Sequence, residues 1–390
     1  MSETIITGAK IVTEQGIIEQ GVVHIKDGVI ASVQDSADWN AGAASPEAVT
    51  LDARGSWLLP GFIDVHVHGG YGADFMDASS EALDTITRFH AQSGTTAMLA
   101  TTMTQTREAI DRVLDEVNAY MRKPMPYAQL LGVHMEGPFI SPKWAGAQDP
   151  NLMLPPQLSW LQSWDERYPQ LVKQLTLAPE GEGAHAMIAW LREHGIVAAC
   201  GHTDASYADI QSAVDAGLSH AVHTFNAMKP LHHREPGTVG AVLTDDRISG
   251  EVIADGIHVH PAAIRLLVKA KQPHGLLLIT DAMSAAGLGD GQYDLGGQAV
   301  TVQGGVARLT EGGALAGSTL TMIEALRYMV RHVGVSVEEA SRFASGNPAR
   351  LLGLEASHGS IEQGKQADLL LIGPELELER VWIRGQALGA

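Results

Sequence analysis

The sequence predicts an α/β chain folded as a (β/α)8 TIM-type barrel, with a small β-sandwich domain formed by both chain termini. Three observations predict it. Eight apolar, strand-like runs recur through the middle of the chain, most of them followed by a helix. Parallel strands buried on both faces read as such continuous runs. The two ends show short alternating strands broken by turn residues. Finally, several of the eight runs close on histidines and acids, and a barrel gathers side chains at the C-terminal ends of its strands. An open doubly wound sheet is the alternative architecture for this rhythm.

In chain order, ITGAKIVT, GVVHIKDG and VIASVQD alternate apolar and polar positions and are punctuated by Gly16 and Asp27-Gly28. ADLLLIGP and LERVWIRGQAL repeat that texture at the other end. Neither end has enough apolar residues for its own core, so residues 1–56 plus 355–390 are expected to form one small domain. Residues 57–354 form the barrel. Its strand candidates are WLLPGFIDVHV, TTAMLATT, AQLLGVHM, KQLTLAP, IVAACG, SHAVHT, SGEVIA and GLLLITD. The clearest helix is TREAIDRVLDEVNAYMRK, with Ile110, Val113, Leu114, Val117 and Met121 at helical spacing. EALDTITRFHAQSG, AMIAWLREHG, ADIQSAVDAG, AAIRLLVKAK and TMIEALRYMVRHVG are further helices, several stopped by Gly.

Composition narrows the function. The 390 residues are 45% apolar and 18% charged, a globular balance. Lys and Arg number 26 against 45 Asp and Glu, leaving −19, which disfavours nucleic acid and anionic membrane surfaces as partners. No apolar run approaches the roughly 20 residues of a membrane span. The start, MSETIITGAKIV, carries neither a basic leader nor an apolar signal core. Cys200 is the single cysteine, so no intrachain disulfide forms. A soluble cytoplasmic protein is expected.

The chemistry sits where the runs end. His66 and His68 close the first, Glu136 the third, His202 the fifth, His223 the sixth and Asp281 the eighth. His66 and His68 are two apart, so strand alternation puts both on one face. Imidazole and carboxylate are ligands for a transition metal. Taken singly, each has a plainer reading: a loop acid for Glu136, core histidines for His202 and His223, a helix N-cap for Asp281. Their shared position at strand ends favours a metal centre. No GxSxG elbow or Walker lysine competes with it. A metal-assisted hydrolase remains.

These residues resemble the amidohydrolase superfamily. Within it, HMEGPF, CGHTDAS, HTFNAM, REPG, ADGIHVH, LITDAM and LAGSTLTM are similar, in order, to the N-acetylglucosamine-6-phosphate deacetylase family. The resemblance implies a barrel joined to a β-sandwich, and hydrolysis of the N-acetyl amide of a small sugar phosphate. It implies Glu136, His202 and His223 as principal metal ligands and Asp281 as catalytic acid/base. His66 and His68 make a second metal, bridged by Glu136, an option. The cofactor is then one or two divalent cations, Zn, Fe, Mn or Co. It implies substrate contacts at Ala147, Gln148, Asn226, Ala227, Arg234 and His258, with a closing loop at Leu315, Ala316 and Gly317. Arg234 would come from the neighbouring subunit of a homodimer; by itself it reads equally as a surface partner of Glu235. Gln148 stands where some relatives have a His that polarises the substrate carbonyl, and its amide can donate to that oxygen without carrying charge. Lys143 and Trp144 lie in the loop after strand three, where they could cover a substrate. The rival readings are another amidohydrolase, acting on a cyclic amide or nucleobase in the manner of a dihydroorotase, hydantoinase or deaminase, and a catalytically silent scaffold barrel.

Overall fold

A computed structural model describes residues 3–389 apart from 41 and 43. The barrel forms as an eight-stranded, all-parallel sheet. Its strands are β1 (Phe62–Asp64), β2 (Thr95–Thr102), β3 (Gln129–Glu136), β4 (Val172–Leu177), β5 (Val197–Cys200), β6 (His220–Ala221), β7 (Ser249–Ile253) and β8 (Leu276–Ile279). They are hydrogen-bonded in sequence order from β1 to β8. Their residues are almost all buried; β2, TTAMLATT, is buried at every position. That is why the runs show no solvent-facing polar stripe: one face meets the barrel interior and the other the surrounding helices.

The seam between β1 and β8 is closed by side chains and by backbone just beyond the strands. Asp64 Oδ2 accepts from Thr280 Oγ1 at 2.6 Å. Asp281 N donates to His66 O at 2.9 Å and His68 N to Ala282 O at 2.8 Å. Burial pushes the Asp64 carboxyl up to about 7, against the hydrogen bonds it accepts from Thr280 and His66.

The helices cover the outside. The longer ones are α1 (Ser80–Gln92), α2 (Arg107–Met121), α3 (Leu158–Arg167), α4 (Ala184–Glu193), α5 (Tyr207–Ala216), α6 (Gly237–Thr244), α7 (Pro261–Lys271) and α8 (Met322–Tyr328), with two five-residue helices, Val337–Ser341 and Asn347–Leu351, after them. Helix α2 buries Ile110, Val113, Leu114 and Val117, the apolar stripe read from the sequence. Thr106 caps it by accepting from Ala109 N. Helices α3 and α6 lie outside the expected set, as does a three-stranded antiparallel insert after β8 (Gly291–Leu295, Gln298–Gln303, Val306–Leu309).

Both termini build a second, mostly antiparallel eight-stranded sheet, in which Trp57–Pro60 pairs with Leu369–Ile372. The run WLLPGFIDVHV is therefore two strands. Trp57–Pro60 completes the terminal sheet, and Phe62–Asp64 opens the barrel. Gly61 is the joint: a Cβ there would stand 2.1 Å from Thr96 Oγ1 and 2.5 Å from its Cγ2. Thr96 is buried and has little room to retreat. Gly61→Ala is expected to cost about 1–3 kcal/mol by overpacking. Urea unfolding checks this, and Thr96→Ala in the same chain should recover much of the loss.

Candidate active site

His66 and His68 follow β1, Glu136 ends β3, His202 follows β5, His223 follows β6 and Asp281 follows β8. All are buried, from 0% exposed at His66 to 9% at Asp281. Their backbones are bent to bring them in. His202, His223 and Asp281 have φ of 47°, 29° and 51°, a region that costs a non-glycine residue about 1–3 kcal/mol. Backbone bonds hold the bends: Ser141 N donates to His202 O at 2.8 Å, Asn226 N to His223 O at 2.9 Å, and Ser318 N to Asp281 O at 2.7 Å.

Glu136 is the hub. Its Oε1 lies 3.0 Å from His223 Nε2, 3.2 Å from His202 Nε2 and 3.3 Å from His66 Nε2. The His202 and His223 Nε2 atoms are 3.1 Å apart. On the other side, Oε2 is 3.2 Å from His68 Nε2 and accepts from Gln148 Nε2 at 2.7 Å. His68 Nε2 is also 3.2 Å from Asp281 Oδ1.

The tautomers decide what this cluster can hold. His202 Nδ1 lies 2.8 Å from Trp144 O, and His223 Nδ1 3.2 Å from Asn226 O. A carbonyl only accepts, so both Nδ1 atoms carry hydrogen. His66 Nδ1 faces Glu251 Oε2 at 2.8 Å in the same way. In the neutral rings, three Nε2 lone pairs then converge on one carboxylate oxygen, an arrangement that needs a cation among them. His66 Nε2 is accordingly buried without a hydrogen-bond partner. Ligand atoms of His66, Glu136 and His223 lie within 4.8 Å of one another, as do those of His66, His68 and Asp281. These donors fit one divalent transition metal and provide for a second.

The electrostatics agree. Burial works against charge on both His66 and His68. For His66, Glu136 and Glu251 outweigh it and hold the ring well above its ordinary pKa. For His68, bonds to Asp281 and Glu136 do the same, raising it to about 9. Burial would push Glu136 and Asp281 up, but the neighbouring histidines, His66 foremost, hold both low. A field that draws protons onto imidazoles draws a metal cation as well.

Above the cluster lies a cavity of about 280 Å³. Of the residues expected from the sequence, Ala147, Gln148, Asn226, Ala227, His258, Leu315 and Gly317 line it. Gln148 is fixed at both ends of its amide, since Thr104 N donates to its Oε1 at 2.7 Å. Burial lowers His258, but Asp255 Oδ2 at 2.6 Å outweighs that and holds the ring above its usual value. Gly317 packs so closely that a Cβ would stand 3.0 Å from Asp281 O. Ala316 is fully buried in a small apolar cluster with Met103, Met283 and Leu295, of which Met103 and Leu295 line the cavity. Arg234 is off this wall, in an exposed loop where it donates to His233 Nε2 at 2.8 Å. Lys143 and Trp144 do line the cavity. Both are tied to Asp204, by Lys143 Nζ at 2.8 Å and Trp144 Nε1 at 2.9 Å.

One residue beneath the cluster was missed by the sequence reading. Glu251, fully buried in β7, accepts from four groups on three other strands or strand ends. The available signal was an acid inside the apolar run SGEVIA.

Known proteins bear on this arrangement. The Amidohydrolase family model matches residues 57–388. The N-acetylglucosamine-6-phosphate deacetylase of Bacillus subtilis is 43% identical over 379 residues, covering 96% of this chain and 94% of its own. The N-acetylgalactosamine-6-phosphate deacetylase of Escherichia coli O157:H7 is 39% identical, covering 98% of both chains. A mutant N-acetyl-D-glucosamine-6-phosphate deacetylase from Mycobacterium smegmatis, solved in complex with N-acetyl-D-glucosamine-6-phosphate, superposes with a TM-score of 0.92. It is 34% identical, over 99% of both chains. With its barrel, its strand-end cluster of imidazoles and carboxylates and this extent of likeness, the chain belongs to the Amidohydrolase family.

Proposed function

We propose that the chain hydrolyses the N-acetyl amide of N-acetylglucosamine 6-phosphate to glucosamine 6-phosphate and acetate. The observation that carries this reading is the meeting of three imidazole Nε2 atoms on Glu136 Oε1 at the floor of a small-molecule cavity. The deacetylases similar to it over nearly their whole length support the substrate class.

Glu136, His202 and His223 would hold the principal divalent cation, with His66 and His68 providing for a second; Zn, Fe, Mn and Co all accept these donors. Such a cation supplies Lewis acidity and lowers the pKa of water. Asp281, ionised and at the cavity wall, takes a proton from the attacking water and returns it to the departing amine nitrogen. Gln148 spends one N–H on Glu136 and has a second to donate to the acetyl oxygen. Asn226, Ala227, His258 and the Ala147 and Leu315–Gly317 segments would enclose the sugar. Arg234, absent from its own cavity wall, would reach the active site of the partner in a homodimer, where its planar fork suits a phosphate. The described residues include no helix long and apolar enough to cross a membrane, which suits an enzyme of the cytoplasm.

The likeness to an N-acetylgalactosamine-6-phosphate deacetylase favours a second reading, in which the 4-epimer is the substrate. Acetate release from both epimers, each with and without the 6-phosphate, tests the proposal. Dependence on the phosphate supports it, and equal rates without phosphate count against it. Asp281→Asn is expected to keep its metal while kcat drops about 10²–10⁴-fold, measured by steady-state kinetics alongside metal analysis; near-normal kcat would remove Asp281 from the mechanism. Replacing His66 and His68 together by Ala should lower both metal content per subunit and turnover severely. Unchanged activity there would show that the pair is dispensable.

A further inference from the structure

Beneath the cluster lies a carboxylate that is not part of the cavity wall. Glu251 sits in the middle of β7 with 0% exposure. Its Oε2 accepts from His66 Nδ1 at 2.8 Å and from the backbone N of His223 at 3.2 Å. Its Oε1 accepts from His220 Nε2 at 2.9 Å and Gln174 Nε2 at 3.1 Å. Four donors thus satisfy a carboxylate that would otherwise be costly to bury. Two of them belong to residues that converge on Glu136. His66 is the residue shared by both groups of converging ligand atoms, so whatever sets its ring sets both.

We propose that Glu251 is a positioning residue for the metal centre: it pins hydrogen on His66 Nδ1, turns His66 Nε2 toward Glu136, and braces the backbone of His223. The inference rests on the metal-centre reading above. An outer carboxylate on a ligating histidine fixes tautomer and ring orientation and raises its basicity, and losing one typically costs about 10–100-fold in metal affinity.

Glu251→Gln separates this role from packing. The amide keeps the shape and one acceptor oxygen for the His66 side. Its NH2 would face His220 and Gln174. Gln174 Oε1, buried without a partner, can turn to receive it, so the core has a way to adapt. Co2+ is titrated into chelator-stripped parent and Glu251→Gln proteins, following calorimetry and the visible Co2+ spectrum, with the melting temperature of each metal-free protein as a control. A 10–100-fold weaker Co2+ affinity, an altered spectrum and a melting temperature near the parent's support the proposal. Unchanged affinity and spectrum overturn it. A parent that binds no Co2+ overturns the metal-centre reading itself, which is a separate failure. Should the variant not fold, nitrogen-15 NMR of the histidine-labelled, Zn2+-loaded parent decides. Hydrogen on His66 Nδ1 with Nε2 bound to metal supports the assignment; the reverse tautomer overturns it.

Discussion

Three imidazole nitrogens share one oxygen of Glu136 at 3.0–3.3 Å, and the rest of the barrel serves that contact. Without a cation it is repulsive in the neutral rings, so the fold must force it. Force is visible in the backbone: three ligand-type residues stand at positive φ, each locked by a neighbouring main-chain hydrogen bond. The strain is affordable because it is small beside the burial of eight apolar strands and their helices. A barrel suits this task, since parallel strands deliver side chains from positions more than two hundred residues apart to one rim.

Below the rim the barrel interior is polar, which runs against the usual expectation for a core. His134, Gln174, His220 and Glu251 are all 0% exposed and hydrogen-bonded to one another or to Thr176 and Ser249. In a low-dielectric interior a satisfied network is rigid, while a half-satisfied one is destabilising. Glu251, the fully paired member, gives His66 a firm seat, while Gln174 Oε1 is left buried without a partner. Burial holds His134 well below its ordinary pKa, and its ring meets His66 edge-on at 4.6 Å between centroids. It supports the centre without joining it.

Much of this was legible in the residues. The eight strands could be read because strands buried on both faces have no solvent-facing side to impose a regular polar alternation. His66, His68, Glu136, His202, His223 and Asp281 could be read because strand ends are where a barrel converges. Other features left weaker traces. The division at Gly61 hides in a run that is apolar on both sides, because both sheets bury it. Helix α6 is GTVGAVLT, buried all round and so without an amphipathic stripe. The insert after β8 begins in a Gly-rich stretch that reads as loop. Glu251 looks like any other acid until its four donors, drawn from three distant strands, are seen around it.

The loop after β3 joins ligand geometry to access. It supplies Trp144 O, which orients His202, and Gln148, which holds the second oxygen of Glu136. It also carries the exposed Lys143, on the cavity wall and paired with the half-buried Asp204. These anchors differ in strength for a physical reason. An exposed ion pair contributes little, because water and salt screen it. The buried bonds to His202 and Glu136 gain from exclusion of solvent. The Lys143–Asp204 pair is therefore the weaker anchor of the loop, and the bonds to His202 and Glu136 the stronger ones.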